Sequence, residues 1–304
     1  MTDLLCLGLA LTDAEIGERD LPHFDMPEKF NYIDKATAQK LLSSFHFDFR
    51  CGGSSANTAK AFARDGLQCS FYGAVGRDRR GHEFAQDLYD YGVCASLDFH
   101  GDDMTGFTVL AAKPERRAFF HYGAAEKINP ALVEPSTAIH AESYLFSLET
   151  AAAIDEKYRK QETALKSLSL SGIASSCRET ALHWIRPLVF GKYCDILVGN
   201  ENEFKFLFGC ANEQYIRSAT EYCRFVAITM GSRGSVVASR QCVHEVPPYN
   251  PDGRDIAGVL GDGDAYAGGF LAGIMRGYDI RESGILGAYM AFKKIESSSP
   301  GHEN

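Results

Sequence analysis

The chain has no apolar run long enough to cross a membrane, no basic segment behind Met1-Thr2-Asp3 and no excess of basic residues. Neither a membrane span nor a secretory signal peptide is therefore expected. With 31 Lys and Arg against 40 Asp and Glu, the net charge of −9 argues against a nucleic-acid partner held through phosphate contacts. The nine cysteines never fall as Cys-x-x-Cys. Neither a zinc site nor a disulfide frame is expected, and the thiols read as buried cysteines of a reducing cytoplasm. No Gly-x-Gly-x-x-Gly follows the first apolar run, which argues against a dinucleotide-binding fold. Internal repeats, linkers and low-complexity segments are also absent. The default expectation is a cytoplasmic enzyme, a globular chain of 304 residues, 45% apolar and 23% charged, of a size that one α/β unit can fill. Its acidity leaves room for a nucleotide, because a local nest of backbone amides can bind phosphate whatever the global charge.

What is there alternates between strand and helix. Leu4-Leu5-Cys6-Leu7-Gly8-Leu9 suits a strand buried on both faces, and Asp13 falls near its carboxyl end, the edge where open α/β sheets bind ligands. Phe45-His46-Phe47-Asp48-Phe49 predicts a strand with three aromatics on one face. That face must be covered by a ligand, another layer or another subunit, which leaves open a homodimer. A second aromatic patch is Phe119-Phe120-His121-Tyr122. Further strands are expected over Ser70–Val75, Ser143–Phe146, Asp195–Gly199 and Phe225–Thr229, with helices over Gly81–Tyr91 and from about Thr150 to Leu165. Repeated β-then-α order predicts a mainly parallel sheet with helices on both faces. The tail from Ser297 to Asn304 is expected to fray.

Two stretches carry chemistry. In Cys51-Gly52-Gly53-Ser54-Ser55-Ala56-Asn57, Ser54 reads as the N-cap of an alanine-rich helix that places Asn57 in its first turn and ends at Gly66. In Gly261-Asp262-Gly263-Asp264 the glycines let backbone amides turn outward just before a helix with Tyr266, Phe270 and Met275 on its buried stripe. A helix start is an anion site, and Asp264 beside it could take a proton from an attacking hydroxyl. An Asp N-cap after a glycine loop is the plainer reading of the same residues. Gly268, Gly269 and Gly273 would each weaken that helix by about 1 kcal/mol unless close packing requires them.

These residues resemble the PfkB family of carbohydrate and nucleoside kinases, of ribokinase-like fold, over nearly the whole chain. Gly52-Gly53-Ser54-Ser55-Ala56-Asn57 is similar to the family's first signature, and Gly261 to Phe270 to its second. Asn200-Glu201-Asn202-Glu203 matches its Asn-x-x-Glu motif, and Thr229-Met230-Gly231-Ser232-Arg233-Gly234 its Thr-x-Gly-x-x-Gly. The resemblance implies one α/β kinase domain over 1–304, with β-lid segments near 15–50 and 98–122 through which a homodimer could form. It implies ATP and Mg2+ as cofactors and a small sugar or nucleoside as partner. Position by position, Asp13, Gly52, Gly53 and Asn57 would bind the acceptor, and Asn200, Thr229, Gly231 and Gly234 the ATP. Glu203 would help arrange magnesium through water. Gly261, Asp262 and Gly263 would form the anion hole, and Asp264 would be the base.

The sequence departs from the pattern at three places. Gly258-Val259 stands where the family carries Asp-Thr, which argues against activation by a monovalent cation. Asp262 replaces an alanine in the anion hole, and Ser171 an aspartate. The leading expectation is an ATP-dependent kinase acting on a primary hydroxyl. The alternative, motivated by Asp262 and the missing Asp-Thr, is a non-catalytic sugar- or nucleoside-binding member of the fold. Adenosine and ribose would separate two substrate classes, since Phe45, Phe47, Phe49 and Phe119 could stack on a purine or equally seal a lid.

Overall fold

The N-terminal apolar run forms strand β1 (Leu4–Leu7), buried at every position, near the middle of the larger of two sheets. The structure, a computed structural model, describes residues 2–17, 30–112, 117–129, 136–160, 165–173, 178–210, 213–251, 253 and 258–298. Among these, nine strands run in the order β14-β13-β12-β11-β10-β9-β1-β5-β6. They are β5 (Cys69–Gly76), β6 (Val93–His100), β9 (Ala138–Glu142), β10 (Leu165–Ser169), β11 (Ile196–Asn200), β12 (Phe225–Thr229), β13 (Ser235–Ala238) and β14 (Val243–Val246), besides β1. All neighbours pair in parallel except β12–β13 and β13–β14. From β1 the chain moves outward to β5 and β6 and then returns to β9 on the other side. The strand order therefore reverses between β1 and β9, which opens a crevice at their carboxyl ends.

Alternation along β1 divides the core in two. Leu5 and Leu7 face one apolar layer with α4 (Ala151–Lys160), α5 (Arg178–Phe190), α6 (Glu201–Phe208) and α7 (Gln214–Tyr222). Leu4 and Cys6 face the other, with α2 (Ser54–Ala63), α3 (Arg79–Asp90), α8 (Asp262–Met275) and α9 (Ile280–Ser298). Burial on both faces explains why β1 reads as a continuous apolar run.

The second sheet has the order β3-β8-β7-β2-β4, from β2 (Leu11–Gly17), β3 (Phe30–Tyr32), β4 (Arg50–Cys51), β7 (Thr105–Ala112) and β8 (Arg117–Gly123). Its segments overlap the expected lid, though 98–100 still belong to β6 of the large sheet, and 18–29 and 113–116 lie outside the described residues. Phe45 to Phe49 is not a strand. It is an extended connection after α1 (Lys35–Ser44), and pairing resumes only at Arg50. Its three phenylalanines still face one way, against Phe107, Phe119 and the α1 residues Ala38 and Leu41. The cover is thus another layer of the same chain. Phe119 is 3% exposed, so it belongs to the interior of the small sheet, while Phe45, Phe47 and Phe49 are half-buried against it.

Other boundaries moved for local reasons. Ser143–Ser147 is a 3-10 turn, and the strand before it is Ala138–Glu142. The α4 helix stops at Lys160, residues 161–164 lie outside the described residues, and Leu165 opens β10. Ser297 and Ser298 still belong to α9, while 299–304 lie outside the described residues. Among the described cysteines Cys6, Cys69, Cys194 and Cys223 are buried, but Cys94 is exposed.

Candidate active site

Helix α8 starts at Asp262, earlier than its apolar stripe, because Gly261 takes the left-handed φ of +84° and turns the chain into it. The three glycines inside the helix are required by packing. A Cβ on Gly268 would lie 2.5 Å from the Thr58 carbonyl, one on Gly269 2.6 Å from that of Leu286, and one on Gly273 2.7 Å from Ser283. This close approach brings the N-termini of α8 and α2 together and fixes Asp264 over the start of α2.

Ser54 does not cap α2. Gly53 is the N-cap, at φ +83°, and a Cβ there would collide with the Leu9 carbonyl. The Ser54 hydroxyl is thereby released to donate to Asp264 Oδ1 at 2.6 Å. Ser171 Oγ reaches the same oxygen at 3.4 Å and is itself 2.7 Å from Ser169 Oγ, while Thr58 Oγ1 donates to the Asp264 carbonyl at 3.2 Å. Burial pushes the Asp264 carboxyl above the usual aspartate range. Hydrogen bonds from Ser54, Asn57 and Ser171 oppose that shift, and the Asp262 charge adds to it. The result is an oriented carboxylate of raised basicity.

On one side of Asp264 lie the residues expected to bind the acceptor. Asp13 on β2 lies against Gly52, where no side chain would fit, and bonds Thr108 of β7, its partner in register. Burial pushes Asp13 up to about 7, Asp264 adds to this, and Lys294 and Lys60 oppose it. Asn57 is buried and its amide lies beside Gly261. Asp13, Gly52, Gly53 and Asn57 are therefore brought together, around Asp264.

On the other side a cleft of roughly 280 Å³ opens between α8, α9 and the β12–β13 turn. Thr229, Gly231 and Gly234 line it, as do Asp262 and Gly263. Its far wall is aromatic and aliphatic, with Tyr249 and Phe292 at 5.3 Å between ring centroids, so a flat apolar ligand would fit there. The amide of Asp262 donates to the Val259 carbonyl at 3.3 Å, whereas that of Gly263, in the first helical turn, has no intrahelical acceptor. Asp262 Oδ2 lies 2.7 Å from where a Cβ on Gly258 would be, so this carboxylate is turned back along the loop.

Asn200 and Glu203 do not line the cleft. They form a reciprocal capping box at the start of α6: Asn200 Oδ1 accepts from the Glu203 amide at 3.0 Å, and Glu203 Oε2 from the Asn200 amide at 2.8 Å. Glu203 Oε1 accepts from the Gly172 amide at 3.0 Å. Glu142, at the end of β9, plays a similar part at the crevice, accepting from the amides of Leu9 at 2.7 Å and Ser55 at 2.6 Å. Both are pushed up to about 7 by burial, with the Asp264 charge contributing. The sequence reading missed Glu142 and the serines at 54, 169 and 171 as partners of the site. Only the position of Glu142 at a strand end carried a signal, and it was hidden because the strand was expected over Ser143–Phe146, just after Glu142, instead of Ala138–Glu142.

Comparison with known proteins agrees with this geometry. The profile described as pfkB family carbohydrate kinase matches residues 1–304. An adenosine kinase of Saccharomyces cerevisiae is 24% identical over 96% of this chain and 87% of its own. A 5-dehydro-2-deoxygluconokinase of Geobacillus thermodenitrificans is 26% identical over 82% of this chain and 79% of its own. A probable sugar kinase from Rhizobium etli superposes with a TM-score of 0.87 at 25% identity, covering 99% of this chain and 95% of that one.

Proposed function

The chain belongs to the pfkB family of carbohydrate kinases, and from that premise we propose that it transfers the γ-phosphoryl group of ATP to a primary hydroxyl of a small sugar or nucleoside, with Asp264 as general base. The observation that carries this reading is the position of Asp264. Its carboxylate is held by Ser54 at 2.6 Å at the head of α8, between the Asp13–Asn57 cluster and the cleft lined by Thr229, Gly231 and Gly234.

Asp13, Asn57 and the Gly52–Gly53 backbone hold the acceptor hydroxyls and aim one at the cleft. Asp264 takes the proton of that hydroxyl as its oxygen attacks the γ-phosphorus, and the bond to the bridging oxygen breaks to release ADP. The raised basicity of Asp264 suits the task. Amides of Gly261, Asp262 and Gly263, with the positive end of α8, face the charge on the transferred group. The Asp262 amide joins them by giving up its long bond to Val259.

Among the described residues no group of three His, Cys, Asp or Glu converges as a metal cage. Each Glu203 oxygen accepts one amide and keeps a second lone pair, which fits a hydrated magnesium ion held through water. When bound with the nucleotide, magnesium would neutralise phosphate charge.

The surface that could meet a nucleobase is the face of the small sheet shared by Asp13, Thr108 and Phe120, which are in register, with Tyr32 beside Phe120 at 5.9 Å. Incubation with ATP, magnesium and a panel including adenosine, ribose and 5-dehydro-2-deoxygluconate, with ADP release as the readout, is the test. Release with none of them would reject the kinase reading. Saturable binding without release would favour the non-catalytic alternative, for which Asp262 in the cleft is the motive.

A further inference from the structure

Helix α9 carries two adjacent lysines with opposite surroundings. Lys293 pairs with Glu296 at 2.5 Å. Lys294 is half-buried and faces Asn57 and Ala265 across a small crevice. A Cβ on Gly261 would lie 2.9 Å from Asn57 Nδ2 and 3.5 Å from Lys294 Cε, so the ammonium, one bond further on, sits at the turn that opens α8. The charged groups facing it are Asp13 from β2, Asp264 from α8, Lys60 from α2 and Asp87 from α3. Lys60 is committed elsewhere, to Asp87 at 2.8 Å and the Cys51 carbonyl at 3.2 Å. Among the described residues Lys294 has no hydrogen-bond acceptor and no ion-pair partner of its own. A half-buried cation in that position is unfavourable until an anion joins it, and the anion that comes to Gly261 is phosphate.

We propose that Lys294 is a catalytic residue of the phosphoryl transfer, its ammonium donating a charge-assisted hydrogen bond to the transferred phosphoryl group at the Gly261 turn. The proposal rests on the kinase reading given above. It answers a charge problem that reading leaves open. The γ-phosphoryl group must enter a site where Asp13, Glu142, Glu203, Asp262 and Asp264 converge, and helix-end amides supply only partial charges. A full positive charge at Gly261 offsets that repulsion and grows in effect as charge moves onto the bridging oxygen.

The experiment compares binding of a non-hydrolysable ATP analogue, AMP-PCP, with binding of ADP, both with magnesium, to the wild type, Lys294→Met and Lys294→Arg. AMP-PCP carries the third phosphoryl group and ADP lacks it. Lys294→Met should weaken AMP-PCP by about 10- to 100-fold and ADP by less than about 2-fold, the range expected for one charge-assisted hydrogen bond. Lys294→Arg should recover most of the difference. A Met variant that loses both nucleotides equally, or neither, overturns the proposal, because a merely structural lysine cannot distinguish the third phosphate. Since the readout is a ratio within each variant, partial unfolding does not obscure it. A wild type that binds neither nucleotide would reject the kinase reading itself, and this proposal with it.

Discussion

Glu142 offers a test of the site's electrostatics that needs no substrate. Its side chain is 1% exposed, both oxygens accept backbone amides, and burial pushes it up to about 7 against an ordinary glutamate value of about 4.3. Between those two values the folded chain holds a proton there that the unfolded chain has lost. Unfolding stability must therefore fall as pH rises: the contribution is complete below about pH 4 and gone once pH passes about 7. For one such group the loss between pH 5 and pH 8 is about 2–3 kcal/mol, a sizeable part of a total near 5–15 kcal/mol. Glu142→Gln cannot ionise. It keeps one carbonyl for one of the two amides and turns a donor toward the other, a cost of about 1–3 kcal/mol at every pH. The gap in stability between wild type and variant should thus shrink by about 2–3 kcal/mol from pH 5 to pH 8. Urea denaturation of both proteins at pH 5, 6, 7 and 8, without ligands, measures it. Asp13 and Glu203, also near 7, remain in both chains and drop out of the difference. Parallel stability curves would refute the reasoning and return Glu142 to the ordinary carboxylate range.

Three further outcomes are expected. Asp264→Asn should lower kcat by about 10²–10⁴-fold with little change in acceptor binding, measured by ADP release; near-full activity would mean the base lies elsewhere. Asp262→Ala keeps the backbone amide and removes a like charge beside Asp264, so kcat/KM for ATP should hold or rise, most visibly at low salt, and abolished activity would make Asp262 a functional carboxylate. Gly53→Ala combines a left-handed φ of +83° with a clash on the Leu9 carbonyl, and should cost roughly 2 kcal/mol or more in a urea melt as well as acceptor affinity.

Most of the large sheet was legible because burial on both faces writes continuous apolar runs, as in β1, β5 and β12. Asp13, Asn57 and Asp264 were legible for a different reason: each follows a glycine turn or strand end, where backbone geometry constrains the sequence. What failed were segments whose structure depends on partners distant in sequence. Phe45 to Phe49 alternates like a strand, yet the alternation serves α1 and Phe107, and among the described residues no strand pairs with it. Ser54 fits an N-cap by local rule, and only the approach of α8, 210 residues on, gives its hydroxyl a better partner in Asp264. Lys294 had no local signal at all, being one of two lysines in a helix whose inward face is set by α2 and α8.

Two departures from the family pattern that looked independent in sequence meet in space. Gly258 lacks the carboxylate usual at that position, and Asp262 has one that is unusual. Asp262 Oδ2 lies 2.7 Å from where a Cβ on Gly258 would be. The carboxylate at 262 thus fills the room that a side chain at 258 would occupy, and an acid at both positions would set two like charges in contact. In a helix N-terminal turn the amide and side chain of one residue point different ways, so the 262 amide can face the cleft while its carboxylate folds toward 258. Ser171 completes the same pattern, since an aspartate there would stand within hydrogen-bond reach of Asp264 Oδ1, where the serine hydroxyl now lies at 3.4 Å. Serine at 171 keeps a carboxylate away from Asp264 Oδ1, whereas Asp262 adds a like charge that raises the Asp264 carboxyl further.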